Sequence, residues 1–214
     1  FQEARIKTGR EPKIGLIIVG DNPATKVYVK NQCKVLEELS IKYELLELPP
    51  DTTETQLEQK ICYLNNNVEI TGIMLNFPLP PGINPRKMQN TILPIKDVEG
   101  VTAENIGKLV YSEFSPVVAP CTALSVIECL KDTGVELKGK ETVIVGHSEI
   151  VGKPVLLMLL SSLLGSVTPT VCHIATKNLD EHTKRAEILI VAVGKPGLIK
   201  GDMVKEGVIV IDVG

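Results

Sequence analysis

Apolar residues fall in short runs bounded by glycine and proline, and these runs alternate with stretches of helical spacing. KIGLIIVG (13–20) is a β-rich run closed by Gly20, with DNPA as the turn after it. A helix follows from about Ala24 to Leu39. IKYELLEL (41–48) reads as a second strand, stopped by Pro49 and Pro50. In TETQLEQKICYLNN (53–66), Leu57, Ile61 and Leu64 stand at helical spacing. EITGIMLNF (69–77) is a third strand, ended by PLPPG. Strand, helix, strand, helix, strand in this order predicts an open parallel layout.

The pattern restarts after a proline turn. PCTALSVIECLKDTG (120–134) reads as a helix, LKGKETVIVG (137–146) as a hairpin-like lead into a strand, and 155–164 as the next helix. VTPTVCH (167–173) is a strand interrupted by Pro169, which marks an edge position or a start beyond the proline. AEILIVAVG (186–194) and GVIVIDVG (207–214) supply two more strands. The expected fold class is α/β, with two α/β domains at 1–119 and 120–214. The first residue is not Met and the last strand stops at Gly214, so an N-terminal segment and a C-terminal element are expected outside this sequence.

Composition sharpens the class. The 214 residues are 43% hydrophobic but only 3% aromatic, without Trp, so the core is built from Val, Ile and Leu. That palette suits parallel sheets covered on both faces. The net charge is -3 and no basic block occurs, which excludes nucleic acid as the expected partner. Five cysteines without a C-x-x-C pair read as reduced thiols in a cytoplasmic or organellar-matrix protein. The apolar run Val155–Gly165 is too short to span a bilayer, so no membrane partner is expected. His147, His173 and His182 are not spaced as a zinc set, and no G-x-S-x-G elbow occurs, so neither a metal centre nor a triad is expected.

GHSEIVGKP (146–154) lies between a strand and a helix. Its glycines permit close backbone approach, and the helix amino end offers free N–H donors to a phosphate. It is not G-x-G-x-x-G, and the same spacing also suits an ordinary βα turn. Ser148 could add a hydroxyl donor, whereas His147 alone reads as a surface residue. Ala192, Gly194 and Pro196 end another strand and would lie at the same sheet edge, where doubly wound folds gather ligands.

GDNPATKVYVKNQ, TGIMLNFPLP, PIKDVEG, PCTA, GHSEIVGKP and GVIVIDVG occur in this order. On these motifs the chain closely resembles the methylenetetrahydrofolate dehydrogenase/cyclohydrolase family, over essentially all 214 residues. The resemblance implies an N-terminal folate-binding domain and a C-terminal Rossmann-like dinucleotide-binding domain with a cleft between them. It implies hydride transfer from 5,10-methylenetetrahydrofolate to NADP or NAD, with tetrahydrofolate as co-substrate. Many members then hydrolyse the methenyl product to 10-formyltetrahydrofolate. Members are commonly homodimers joined through the cofactor domain, and VTPTVCH is the candidate seam. The family usually adds an amino-terminal helix, and a proline-glycine loop and final helix after I-D-V-G.

By the same resemblance, Tyr28, Gln32 and Glu99 take the catalytic positions. Tyr28, Asn76, Pro78, Leu79, Asp97 and Glu99 take the substrate positions. Thr122, Gly146, His147, Ser148, Ile150, Val151, Thr176, Ala192 and Gly194 take the cofactor positions. Four of these positions depart from the family pattern. Gln32 replaces a Lys, Asn76 a Gln, Glu99 an Asp, and His147 an Arg that often holds the extra phosphate of NADP. Cys121 matches a family Cys and reads as packing, not as a nucleophile.

Hydride transfer needs two rings held face to face and little proton traffic. Hydrolysis needs a proton acceptor, and a Gln amide does not usefully titrate. The chain is therefore expected to be a dehydrogenase with a weak or absent cyclohydrolase step. The alternatives are a bifunctional enzyme and a non-catalytic folate- or nucleotide-binding relative. NADP is favoured by the family norm, with Lys177 able to reach a 2′-phosphate.

Overall fold

The computed structural model describes residues 9, 11–111, 118–160 and 166–214. It divides into two units, residues 1–103 and 104–214.

The first unit holds β1 (Lys13–Val19), α1 (Pro23–Glu38), β2 (Lys42–Leu48), α2 (Glu54–Asn66), β3 (Gly72–Leu75) and α3 (Pro85–Thr91). Its sheet is parallel, in the order β2-β1-β3. β1 is a continuous apolar run because both of its faces are covered. Leu16 and Ile18 pack with Val29 and Cys33 of α1. Ile17 and Val19 pack with Leu57, Ile61 and Leu64 of α2 and Met88 of α3. Burying such a side chain contributes on the order of 1.5–3 kcal/mol, so the LIIV core of β1 is a main source of stability. The helices start where side chains satisfy their free N–H groups. Asn22 Oδ1 accepts from Ala24 and Thr25 (3.0 and 3.1 Å), and Thr53 with Gln56 forms a capping box at α2.

The second unit holds α4 (Ala103–Tyr111, its first residue counted with unit one), α5 (Cys121–Asp132), β4 (Glu141–Val145), α6 (Gly152–Leu160), β5 (Thr168–Cys172), α7 (Leu179–Arg185), β6 (Ile188–Val191) and β7 (Ile209–Asp212). Its sheet is also parallel, in the order β5-β4-β6-β7. Ile144, Ile188 and Ile190 face α5 and α6, while Val143, Val145 and Leu189 face Leu179 and Ala186 on the other side.

Three expectations are corrected. The lead at 137–140 is not one arm of a hairpin: Lys140 N–H closes a turn onto the Leu137 carbonyl (3.1 Å), and β4 pairs only in parallel. The third strand is shorter than 69–77, because Ile70 is held in a turn by the Asn67 carbonyl (3.1 Å) while its side chain enters the core. Cys121 is exposed at the start of α5, so it is not a packing residue. β5 lies at a sheet edge as Pro169 suggested, with the proline inside the strand opposite Thr142. Residues 161–165 of the helix read at 155–164 and its flank lie outside the described residues. No helix among the described residues is long and apolar enough to cross a membrane.

Candidate active site

In a parallel sheet every strand ends at the same edge, and the turns there collect ligands. At that edge of the second sheet lies a cavity of about 610 Å³. Gly146, His147 and Ser148 line it after β4, His173, Ile174 and Thr176 after β5, and Val193, Lys195 and Leu198 after β6. Gly146 has φ 115°, and a Cβ there would overlap the Ala192 carbonyl. A Cβ on Gly152 would overlap the Gly146 carbonyl and come within 2.8 Å of His147 Cα. The loop is therefore pressed against β6 and the start of α6, and neither position admits a side chain without displacing backbone.

Polar groups fix the rest of this loop. Ser148 Oγ accepts from the N–H groups of Val151 and Gly152 (3.2 and 3.4 Å), so the serine caps α6, and its own hydrogen stays available to a ligand. Thr176 Oγ1 accepts from His173 N–H (2.8 Å), and His173 Nδ1 accepts from Ala175 N–H (3.2 Å). The His147 and His173 rings lie 4.9 Å apart, tilted by 37°. The lining carries two histidines and one lysine and no carboxylate. A glycine cradle, apolar walls at Ile174 and Leu198 and an anion-tolerant lining fit a dinucleotide.

The first unit presents its candidates at the matching edge of its own sheet. Thr25 Oγ1 donates to the Phe77 carbonyl (3.1 Å), tying the first turn of α1 to the loop after β3. Thr25, Tyr28 and Gln32 share one side of α1 by helical spacing. Tyr28 is 59% exposed, whereas Gln32 is half-buried with its Oε1 buried and accepting no hydrogen bond from the described residues. Asn76 is buried, its backbone N–H and side chain both donating to the Ile17 carbonyl (2.9 and 3.3 Å). Pro78 is exposed, joined to Phe77 by a cis peptide, and Leu79 packs partly into the core.

Asp97 is buried beside β3, with its carboxylate accepting from Glu99 N–H (3.2 Å) and Thr102 N–H (2.9 Å). Glu99 is half-buried next to it. Burial, and then the Asp97 charge, push the Glu99 carboxyl up to about 7, with a hydrogen bond from the Leu75 backbone pulling the other way.

Residues 2–99 match the model of the tetrahydrofolate dehydrogenase/cyclohydrolase catalytic domain, and residues 120–214 match that of its NAD(P)-binding domain. The bifunctional protein FolD 2 of Mesorhizobium japonicum is 46% identical over 206 residues, which are 96% of this chain and 66% of that protein. The crystal structure of the bifunctional FolD enzyme of Campylobacter jejuni superimposes with a TM-score of 0.92 at 40% identity, over 99% of this chain and 74% of that one. The chain belongs to the tetrahydrofolate dehydrogenase/cyclohydrolase family. The Trypanosoma brucei FolD structure, complexed with NADP cofactor and inhibitor, gives a TM-score of 0.90 at 33% identity, over 100% of this chain and 72% of that one. The chain thus spans about two thirds to three quarters of these relatives.

Within this family fold, Gly146, His147, Ser148 and Thr176 meet in the 610 Å³ cavity, while Gly194 lines a neighbouring one with Asp212. Thr122, Ile150, Val151 and Ala192 do not line the cavity, although the Ala192 carbonyl is what confines Gly146. Ile174, Val193, Lys195 and Leu198 were not expected there. Their signal was position, since each follows a strand end. In the sequence His173 stands only as one of three histidines not spaced as a zinc set, and its ring partner is not visible there.

A concavity of the first unit, about 560 Å³, lies between α1 and β2 and contains none of the expected folate residues. Lys96, in the PIKDVEG motif, also has a role the sequence did not reveal. Its Nζ donates to the carbonyls of Leu64, Asn65 and Asn67 (2.9, 2.7 and 2.7 Å) and closes the end of α2.

Proposed function

We propose that this chain carries out the dehydrogenase step of its family. A hydride leaves the methylene carbon of 5,10-methylenetetrahydrofolate for NADP or NAD, and 5,10-methenyltetrahydrofolate remains. The observation that carries the reading is the cradle at Gly146 and Gly152, which brings bare backbone to the edge of the sheet where a dinucleotide binds. When bound, the dinucleotide supplies the hydride acceptor.

The protein's part is to hold and orient. Gly146 to Ser148 receive the cofactor, and Tyr28, with Asn76, Pro78 and Leu79 beyond β3, forms the folate wall. Residues 1–119 serve the folate and 120–214 the dinucleotide. The same reading expects a homodimer through the β5 edge, in the cytoplasm or an organellar matrix.

Gln32 sets the balance between the two family steps. Its amide cannot take the proton that attacking water must lose, and removing such a group typically lowers the rate by roughly 10²–10⁴. The cyclohydrolase step is therefore weak. One observation favours the bifunctional alternative. Glu99, held up to about 7, is a carboxyl that exchanges a proton near neutrality, as a catalytic base should.

Both steps are measured on one preparation: reduced cofactor formation for the first, and methenyl decay against its spontaneous rate for the second. The expected result is active dehydrogenation, methenyl decay near background, and faster decay in Gln32→Lys. Rapid decay in the unmodified protein that is lost in Glu99→Gln selects the bifunctional reading. Absence of both activities selects a non-catalytic relative.

A further inference from the structure

We infer that Asp97, which the family resemblance places among the substrate contacts, is a positioning residue: its buried carboxylate holds the turn that sets Glu99 at the end of β3, and of the two acids only Glu99 meets the substrate. This rests on the folate reading above.

β3 is an edge strand, so the N–H groups on its outer side need partners. The segment after α3 supplies them. Ile73 N–H donates to the Lys96 carbonyl (2.7 Å), and the Leu75 backbone N–H donates to the Glu99 carboxylate. Between these two bonds Val98 rests on bare backbone, since a Cβ on Gly72 would overlap Val98 Cγ1. The Glu99 carboxyl therefore arrives one residue before Asn76, where the proposed folate wall begins.

Asp97 closes the turn. Its Oδ1 accepts from Glu99 N–H (3.2 Å) and its Oδ2 from Thr102 N–H (2.9 Å). Gly100, at φ 67°, reverses the chain between those two donors. At 2% exposure and with both oxygens engaged, the Asp97 carboxylate presents no face to a ligand. Glu99 is half-buried and keeps surface through which a ligand can reach it.

The same contact gives Asp97 a second hold on Glu99. A carboxylate beside a carboxyl keeps the proton on its neighbour, and among the described residues Asp97 is the charged group that acts on Glu99. β3 brings no titratable side chain. Lys96, on the same segment, is turned to the carbonyls at the end of α2, and Lys26 of α1 pairs with Asp21 (2.7 Å). Asp97 thus sets both the place and the protonation of the acid that stands at the folate wall.

Carboxyl-carbon NMR of the parent and of Asp97→Asn, from about pH 5 to about pH 9, tests this. The Glu99 signal should titrate near 7 in the parent. In Asp97→Asn its midpoint should fall by about one pH unit, because a neighbouring negative charge has gone. The pH profile of kcat/KM for reduced-cofactor formation should move in the same direction and by the same amount. When tetrahydrofolate is added to the parent, the Glu99 signal should shift and the Asp97 signal should stay.

An unmoved midpoint or an unmoved profile in Asp97→Asn overturns the inference. So does an Asp97 signal that responds to tetrahydrofolate as strongly as that of Glu99, and where Asp97→Asn does not fold, this comparison in the parent decides. Absence of reduced cofactor from a parent that binds tetrahydrofolate overturns the dehydrogenase reading alone, and the NMR comparison still decides the role of Asp97. A parent that binds no tetrahydrofolate overturns both.

Discussion

Glu99 offers a direct test of how the first unit handles a carboxyl where the family pattern has Asp. Its pKa is raised from an ordinary 4.5 to about 7, first by burial and then by the buried Asp97 beside it. A carboxyl raised in the folded state binds its proton more tightly there than in the unfolded chain. Its contribution to stability is therefore fully present below about 4.5, and is lost as pH rises towards about 7. At about 1.4 kcal/mol for each pH unit between the two values, the total is about 3 kcal/mol. Roughly 2 kcal/mol of it falls between about pH 5 and pH 7.5.

The perturbation is Glu99→Gln, which keeps the shape and removes the titration. Urea denaturation of both proteins at several pH values isolates the effect from all other groups. The variant should gain on the parent by about 2 kcal/mol from the acid to the neutral end of that range, and then run parallel to it. Curves that stay parallel throughout would refute the claim that Glu99 is desolvated and close enough to Asp97 to feel its charge.

Other outcomes follow from the same geometry. Gly152→Ala should destabilise the second unit by about 1–3 kcal/mol and weaken dinucleotide binding, because its Cβ would displace the Gly146 carbonyl; thermal melts and cofactor titration check both. Lys96→Met should lower stability by about 2–4 kcal/mol by leaving three carbonyls at the end of α2 without their donor, measured by urea denaturation. Lys87→Ala, which breaks only exposed pairs with Glu54 and Glu58, should change it by about 1 kcal/mol or less.

The sheets were legible because parallel strands buried on both faces must be apolar throughout, and KIGLIIVG and TVIVG satisfy that whatever surrounds them. The short helices α3, α4 and α7 are not legible in the same way. Their periodicity spans too few turns to stand out, although Asn84–Pro85 before α3 and Asp180–Glu181 opening α7 were valid start signals. Ile70 shows why the start of β3 is not legible in the sequence. A β-branched residue beside a strand reads as part of it, yet here it fills the core from a turn.

The two candidate sites differ in legibility because different parts of the residue build them. The cradle proposed for the dinucleotide is made of backbone, and its requirement is the absence of a side chain. Gly146 and Gly152 state that requirement openly in the sequence, since any other residue would strike the chain beside it. The folate side is made of side chains whose chemistry is set by neighbours. Asp97 sits in a motif that suggests a ligand contact, yet its carboxylate receives two backbone N–H groups and fixes the turn carrying Glu99. Glu99 in turn owes its protonation to burial and to Asp97, neither of which its residue type reveals. Gln32 is the reverse case: what it cannot do is plain from its amide, and the structure adds only that its buried oxygen accepts no hydrogen bond from the described residues. On the folate side a residue that cannot take a proton, Gln32, thus stands against a carboxyl raised to about 7, Glu99. The fate of methenyl decay in Glu99→Gln is accordingly the measurement on which the assignment of one activity or two turns.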